Sequence, residues 1–195
     1  MHLLILFFVA MIQPATYTIS GQITWEHNAA GVKDATVKLT GTESQTTTAD
    51  AGGYYSFTVS STGAYTVTPT KDINKLNGLS SADATAIQQH VTLIAPINDP
   101  YKRIAADMNK DNKISTLDAS IINQAVIGNP AANRFLSPSW VFVDAAYTLT
   151  LPAQNADVPT GYPVAISFTL SGNTSGLNFV GIKRGDVNGS ADPQL

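Results

Sequence analysis

The chain has 195 residues, of which 13% are charged, a formal net charge of −3 and no cysteine. This composition argues against a nucleic-acid-binding surface, because there is no basic run and no interleaving of basic with aromatic residues. It also excludes disulfides and thiolate metal sites, so a secreted chain of this kind needs another means of stabilisation, such as a bound cation. The length allows one domain or two to three small ones.

Residues 1–16 begin with an apolar run of about ten residues, which is too short to span a bilayer because a spanning helix needs about 20. Two interpretations stay open. The segment is a secretory signal peptide, with His2 as the only candidate for a basic residue before the apolar run, or it is a β-strand that persists and pairs with a neighbour. We therefore expect a secreted, extracellular or cell-surface protein without a transmembrane span.

Residues 17–70 are predicted to be all-β. Apolar residues alternate with polar ones over 17–23, 31–41 and 63–69, and an Asp/Gly turn at 50–53 separates two further strands. Strands at this spacing indicate a small sandwich. Most of its aromatic residues are expected in the core, with one face exposed: Tyr54, Tyr55, Phe57 and Tyr65.

The order of these patterns resembles the carboxypeptidase-regulatory-like, or transthyretin-like, β-sandwich. The resemblance rests on Gly-Val-x-x-Ala-x-Val-x-Leu-x-Gly at 31–41, Asp-x-x-Gly-x-Tyr-x-Phe at 50–57 and Gly-x-Tyr-x-Val-x-Pro at 63–69. It implies a spacer or stabilising domain of an extracellular protein.

Residues 71–130 contain two copies of a loop followed by a helix. The second loop, 107–118, has oxygen side chains at positions 1, 3, 5, 9 and 12 and an aliphatic residue at position 8, which is the spacing of an EF-hand-type calcium loop. Position 7 contributes its backbone carbonyl. The predicted ligands are Asp107, Asn109, Asp111, Lys113, Ser115 and Asp118.

The first copy lies 35 residues earlier, because Asp72 aligns with Asp107 and Asp83 with Asp118. Its early half has Leu76 where position 5 needs an oxygen, while its later half is intact. The candidate ligands of this copy are Asp72, Asn74, Gly78, Ser80 and Asp83. Pro100, between the copies, is predicted to start a short helical turn.

A duplicated calcium loop, each copy followed by one helix, resembles the dockerin module of bacterial extracellular assemblies over about residues 71–128. The resemblance implies two calcium ions and, less directly, a cohesin partner. Such ions are structural, and extracellular modules bind calcium at roughly 10⁻⁴ to 10⁻³ M. Magnesium suits the loop less well because the loop offers too many protein oxygens.

Residues 139–195 return to strands. Four are predicted, over 140–144, 147–151, 164–170 and 177–182, which are few for an independent domain, so the segment is expected to pack on another part of the chain. It ends in Gly185-Asp186-Val-Asn188-Gly-Ser190, which is similar to the start of a dockerin calcium loop.

These two half-loops suggest one split site. Asp186, Asn188 and Ser190 would supply the early ligands, while the carbonyl of Gly78 with Ser80 and Asp83 would supply the late ones. Asp72 and Asn74 would then be peripheral. The alternatives are a plain turn or tail at 186–190, and a tail that completes the site of a neighbouring molecule.

The whole arrangement resembles modules of large secreted Bacteroidetes-type proteins with no established catalytic role. His2, His27 and His90 are the only histidines, and no catalytic motif accompanies them. The expected fold is mainly β with a small α part: an N-terminal sandwich, a dockerin-like helix pair and a C-terminal β segment.

We expect a non-catalytic, calcium-stabilised structural or assembly protein. It would be a fibre or surface-layer subunit joined by strand donation or by calcium-clasped contacts. The alternatives are a docking module for a cohesin scaffold, and a carbohydrate-binding module that uses Trp25, Tyr54 or Trp140.

Overall fold

The computed structural model describes residues 15–195, so both interpretations of the N-terminal apolar run fall outside the described residues. The predicted fold class, mainly β with a small α part, is confirmed. The strands are β1 Tyr17–Trp25, β2 Thr36–Gly41, β3 Gln45–Thr48, β4 Tyr54–Val59, β5 Gly63–Thr70, β6 Trp140–Asp144, β7 Ile166–Leu170 and β8 Phe179–Lys183. The helices are α1 Ser81–Val91, α2 Pro100–Ala106 and α3 Thr116–Val126, followed by a 3-10 helix, Pro130–Phe135.

The strands form two four-stranded sheets in the orders β4-β1-β8-β6 and β3-β2-β5-β7. All neighbours are antiparallel except β1 and β8, which run parallel over 23–25 and 179–181. The strands of residues 139–195 therefore complete both sheets that residues 17–70 begin. The parallel pair brings the segment after β8 back to the N-terminal part of the chain.

The first core lies between the two sheets and is built by the alternation seen in the sequence. In β1 and β4, every second residue is buried, which is the period of a strand with one face in the core. Tyr55, Phe57 and Tyr65 are buried and Tyr54 is 58% exposed, as expected. Trp25 and Trp140 also belong to this core.

The helices cover the outer face of the sheet that contains β6 and β8. Val143 and Ile182 point into this second core, together with Ile87 of α1 and Ile122 of α3. Strand β8 is consequently buried on both faces. In antiparallel sheets, by contrast, a strand commonly has one face in the core and the other in solvent. The end of β8 is thereby fixed beside the two loop-helix units.

The structure corrects one predicted strand and confirms one helix. Residues 147–151 form no strand; they belong to the long irregular connection between β6 and β7. The backbone of this connection bonds to the loop at 112–114 and, through the carbonyl of Pro163, to the N–H of Asp144 at the end of β6. Pro100 starts α2 as predicted. Asp99 caps this helix, since its Oδ1 accepts from the N–H groups of Tyr101 and Lys102.

Candidate metal centre

The loop at 107–118 is folded around its first carboxylate. Asp107 Oδ1 accepts from the N–H of Asp111 at 3.2 Å, and its Oδ2 accepts from the N–H of Asn112 at 3.0 Å. Asn109 Oδ1 also accepts from the N–H of Asp111. Asn112 has φ 64°, a conformation usually taken by glycine at position 6 of an EF-hand loop and tolerated by asparagine.

The last carboxylate of the loop joins its two ends. Asp118 Oδ1 accepts from the N–H groups of Met108 and Asn109 at 2.9 and 3.2 Å. Its Oδ2 accepts from the N–H and the hydroxyl of Ser115 at 2.9 and 3.0 Å, which forms a capping box at the start of α3. The helix start and the loop start are therefore held by one side chain.

The segment after β8 folds in the same way around Asp186. Its Oδ1 accepts from the N–H groups of Gly189 and Ser190 at 3.0 and 2.9 Å, and its Oδ2 accepts from the N–H of Ala191 at 3.0 Å. The Ser190 hydroxyl donates to the carbonyl of Gly78 at 3.0 Å, across 112 residues of sequence. The two half-loops proposed from the sequence thus meet within one chain.

Asp83 joins these halves as Asp118 joins the ends of the complete loop. Its Oδ1 accepts from the N–H groups of Val187 and Asn188 at 2.9 and 3.0 Å. Its Oδ2 accepts from the N–H and the hydroxyl of Ser80 at 2.9 and 2.8 Å, forming the capping box of α1. We call residues 78–83 with 186–191 the split loop and residues 107–118 the complete loop.

The two loops have the same pattern of hydrogen bonds, each within itself. The residues correspond in pairs: Asp186 with Asp107, Val187 with Met108, Asn188 with Asn109, Ser190 with Asp111, Ala191 with Asn112, Ser80 with Ser115, and Asp83 with Asp118. Closing a flexible loop of about a hundred residues costs about 4 kcal/mol, and the β1–β8 and β6–β8 pairings reduce this cost by holding the ends together.

The early half of the first copy lies elsewhere. Asp72 Oδ1 accepts from the N–H of Ser139 at 2.9 Å, and its Oδ2 accepts from the hydroxyl of Ser137 at 2.5 Å. Asn74 has φ 49° and sits in a turn, where its carbonyl accepts from the N–H of Asn77. The structure therefore does not bring Asp72 to the split loop; it anchors the start of β6 instead.

The loops contain buried carboxylates without a cationic partner. The carboxylate residues Asp83, Asp107, Asp118 and Asp186 are at most 5% exposed, and among the described residues none of them forms a salt bridge with lysine or arginine. Burial raises the pKa of Asp107, and the carboxylates of Asp118 and Asp111 add to this effect. Buried charges are normally paired or bound to a metal, so this donor set fits a hard cation.

Carboxylates alone do not define the centre. Within residues 15–195, no group of three or more His, Cys, Asp or Glu side chains is close enough to hold a metal ion. An EF-hand-type loop takes many of its oxygens from amides, hydroxyls and backbone carbonyls. The split loop offers such oxygens beside its two aspartates, from Gly78, Ser80, Asn188 and Ser190.

Sequence reasoning missed two buried basic residues that bind backbone carbonyls in or near the loops. Arg184 donates from Nη1 to the carbonyl of Asp107 at 3.0 Å and from Nε to the carbonyl of Pro138 at 3.2 Å. Lys183 donates from Nζ to the carbonyl of Lys75 at 2.9 Å, and its burial lowers its pKa to about 8. Their only sequence signal is their position directly before the Gly-Asp pair of the split loop.

The candidate sugar-binding aromatics are mostly unavailable. Trp25 and Trp140 are 3% and 1% exposed and pack between the sheets. Tyr54 alone presents its ring to solvent, and a single exposed tyrosine does not form a stacking platform.

Helices α1 and α3 present apolar side chains to solvent. A groove of about 500 Å³ between them is lined by Ser81 at the start of α1 and by Val126 and Ile127 at the end of α3. Ile127 is 79% exposed and Leu117, at the start of α3, is 53% exposed. We call this surface the helix face.

Two families match parts of the chain. Residues 70–127 match the dockerin type I domain, and residues 15–94 match the BOS complex subunit NOMO1-like, second beta sandwich domain. No curated protein matches the chain. No helix of the described residues is long and apolar enough to cross a membrane.

Two solved structures resemble short parts of the chain. A 5-hydroxyisourate hydrolase from Klebsiella pneumoniae is 23% identical with a TM-score of 0.25, over 28% of this chain and 54% of that one. A DUF3823 family protein from Parabacteroides merdae ATCC 43184 is 14% identical with a TM-score of 0.25, over 29% of this chain and 33% of that one. These scores are too low to carry an argument about function. The chain is thus similar to a dockerin-like module joined to a β-sandwich.

Proposed function

We propose that the protein is a non-catalytic, extracellular docking module in which two calcium ions hold the helix pair in its binding conformation. The observation that carries this proposal is that the complete loop and the split loop have the same pattern of hydrogen bonds. One ion would be held by Asp107, Asn109, Asp111, Ser115, Asp118 and the carbonyl of Lys113. The other would be held by Gly78, Ser80, Asp83, Asp186, Asn188 and Ser190.

Calcium would compensate the buried negative charge and so stabilise the fold. At millimolar calcium and a dissociation constant of about 10⁻⁴ M, mass action adds about 1.4 kcal/mol of stability per ion. For a chain of this size, that corresponds to a rise of about 3 to 6 °C in melting temperature per ion. The ion at the split loop would also fasten the segment after β8 to α1.

Calcium titration by calorimetry tests the proposal. We expect two ions per chain for the natural sequence, and one each for Asp111→Ala in the complete loop and Asp186→Ala in the split loop. Asp72→Ala is the matched control and is expected to keep two ions. Two ions of unchanged affinity in Asp186→Ala would refute the split site, and no calcium binding at all would refute the function.

The helix face is the proposed docking surface. Exposed apolar patches on soluble proteins often mark protein-binding sites, and the face lies on the two helices whose first turns carry the candidate metal ligands. A cohesin-type domain is the partner that the dockerin-like module implies.

Binding to a panel of cohesin domains, with calcium and with chelator, tests this surface. We expect calcium-dependent binding that Leu117→Asp and Ile127→Asp each weaken by roughly tenfold or more. Val164→Asp, at an exposed position just before β7, is the matched control and should bind normally. Equal binding by all three variants would place the docking surface elsewhere.

Self-assembly is the second candidate function, because each sheet ends in strands with a single strand partner among the described residues, β4 and β6 in one sheet and β3 and β7 in the other. Strand donation would add a strand to such an edge, and a fibre or surface layer would result. We expect larger species with calcium than with chelator in light scattering, and their loss when residues 1–16 are removed. A monomer in both conditions, with and without residues 1–16, would refute assembly.

A further inference from the structure

Residues 154–158, in the connection between β6 and β7, form a strap over the complete loop. The N–H of Ile114 donates to the carbonyl of Ala156 at 2.7 Å, and the N–H of Val158 donates to the carbonyl of Asn112 at 3.2 Å. These bonds flank Lys113, whose carbonyl is the position 7 ligand of an EF-hand-type loop. The strap therefore fixes the backbone at a candidate metal ligand.

The other side of the strap is held by α1 and α2. Arg103 Nη1 donates to the carbonyls of Gln154 and Asp157 at 3.1 and 3.2 Å, and its Nη2 donates to Asn155 Oδ1 at 3.2 Å. His90 Nε2 lies 2.8 Å from the carbonyl of Asn155. Two buried side chains thus bind a segment that has no regular secondary structure of its own.

The contacts of His90 fix its protonation state. The N–H of Ile97 donates to His90 Nδ1 at 2.8 Å, so Nδ1 must carry a lone pair and the proton resides on Nε2, which donates to the carbonyl of Asn155. The ring is fully buried. A second proton on Nδ1 would remove the bond from Ile97 and place a charge in the interior.

The charges around His90 also oppose its protonation. The Arg103 guanidinium faces the ring from α2, and burial together with this charge lowers the pKa of His90. On the strap, the carboxylate of Asp157 is paired with Lys113. The remaining charges on α1 and α3 are Asp83 and Asp118, in the first turns of those helices.

We propose that His90 is an acid-sensitive latch, whose protonation releases the strap and thereby weakens calcium binding at the complete loop. The matching position of the second copy is Ala125, so the latch is specific to the first helix. The link to calcium rests on the proposed function, whereas release of the strap does not.

Hydrogen exchange of the full chain in chelator, at about pH 7.5 and about pH 5.5, tests the latch after correction for intrinsic rates. We expect protection of Ile114 and Val158 to fall by up to about tenfold at the lower pH, because a histidine with the ordinary pKa of about 6.5 takes up a proton when the strap opens, whereas the buried ring resists it. His90→Gln keeps an acceptor and a donor without titrating and should remove the pH dependence. His27→Gln is the matched control, in which an exposed histidine is lost, and it should leave the dependence intact.

Calcium titration at the same two pH values completes the test. The dissociation constant of the complete loop is expected to rise at the lower pH in both proteins, because burial raises the pKa of Asp107 and protons compete with calcium for this ligand. The rise should be larger in the natural sequence than in His90→Gln, by up to about tenfold. Should His90→Gln fail to fold, the natural sequence alone still decides the latch, because protection of Ile114 and Val158 that is unchanged at about pH 5.5 overturns it.

The outcomes separate the two proposals. Equal acid sensitivity of the strap in His90→Gln and the natural sequence overturns the latch. Protection of the strap in the natural sequence that does not fall at about pH 5.5 does the same. Absence of calcium binding at about pH 7.5 refutes the proposed function, and the exchange measured in chelator still decides the latch.

Discussion

Replacement of Asp83 by alanine is the sharpest test of the link between the helix pair and the segment after β8. The carboxylate accepts from three backbone N–H groups, those of Ser80, Val187 and Asn188, and from the Ser80 hydroxyl. In Asp83→Ala, all of these donors lose a charged acceptor. The Val187 N–H is buried and cannot turn to water, whereas Asn188 is exposed.

The expected magnitude follows from these contacts. A buried donor left without its acceptor costs about 2 kcal/mol, and the two partly solvated donors cost about 1 kcal/mol or less each, which gives about 3 to 4 kcal/mol in total. For a chain of this size, the melting temperature should fall by roughly 6 to 16 °C. This loss is expected in chelator, because it requires no metal.

The assay is chemical and thermal unfolding in chelator and in millimolar calcium. We expect Asp83→Ala to lose stability in chelator and also to lose the part of the calcium stabilisation due to the split loop, about 1.4 kcal/mol. Asp118→Ala should behave alike for the complete loop, whereas Asp72→Ala should keep the full calcium increment. A fall of less than about 2 °C in Asp83→Ala would refute the reasoning.

Two further predictions concern Gly78 in the split loop and Glu26 near it. Gly78 has φ 78°, and a Cβ there would lie 2.7 Å from the backbone of Ala191, whereas Gly128 has φ 75° and open space around it. Gly78→Ala should therefore lower the free energy of unfolding by about 1 kcal/mol more than Gly128→Ala, and equal losses in urea unfolding would contradict the close approach. Burial, with a smaller contribution from Asp99, raises the pKa of Glu26 from 4.5 to about 7, and its Oε1 is buried without a hydrogen bond. Because the folded pKa lies above the unfolded one, stability should fall as pH rises from about 4.5 to 7, and Glu26→Gln should be about 1 to 2 kcal/mol more stable at about pH 8 in calcium-free buffer, after discounting for partial exposure. A pH dependence of unfolding that persists in Glu26→Gln would assign it to another group.

The complete loop could be predicted because its candidate ligands lie close together in the sequence. Residues with side-chain oxygens at a fixed spacing identified it, and a similar beginning of a loop after β8 led to the split loop. Position 5 of the first copy is Leu76, which has no side-chain oxygen to bind a metal. This one residue indicated that another segment must supply the early ligands. The structure brings 186–191 to 78–83 and leaves Asp72 outside.

The sheet topology was not predictable, because its information is long-range. The parallel pairing of β1 with β8 joins residues more than 150 positions apart, and nothing in either strand specifies the other. The strap had no periodicity and its neighbour at 147–151 resembled a strand. Arg184 and Lys183 were overlooked because charged residues are rarely buried, and only the backbone carbonyls around them make burial possible.

The split loop also sets the order in which the protein can be completed. Synthesis runs from the N-terminus, so α1 and its half of the loop emerge about a hundred residues before Asp186. Until then, Asp83 lacks the N–H groups of Val187 and Asn188, and the split loop cannot close. A chain terminated before residue 186 would keep this loop open, so closure of the split loop distinguishes chains that extend through residue 191 from shorter ones.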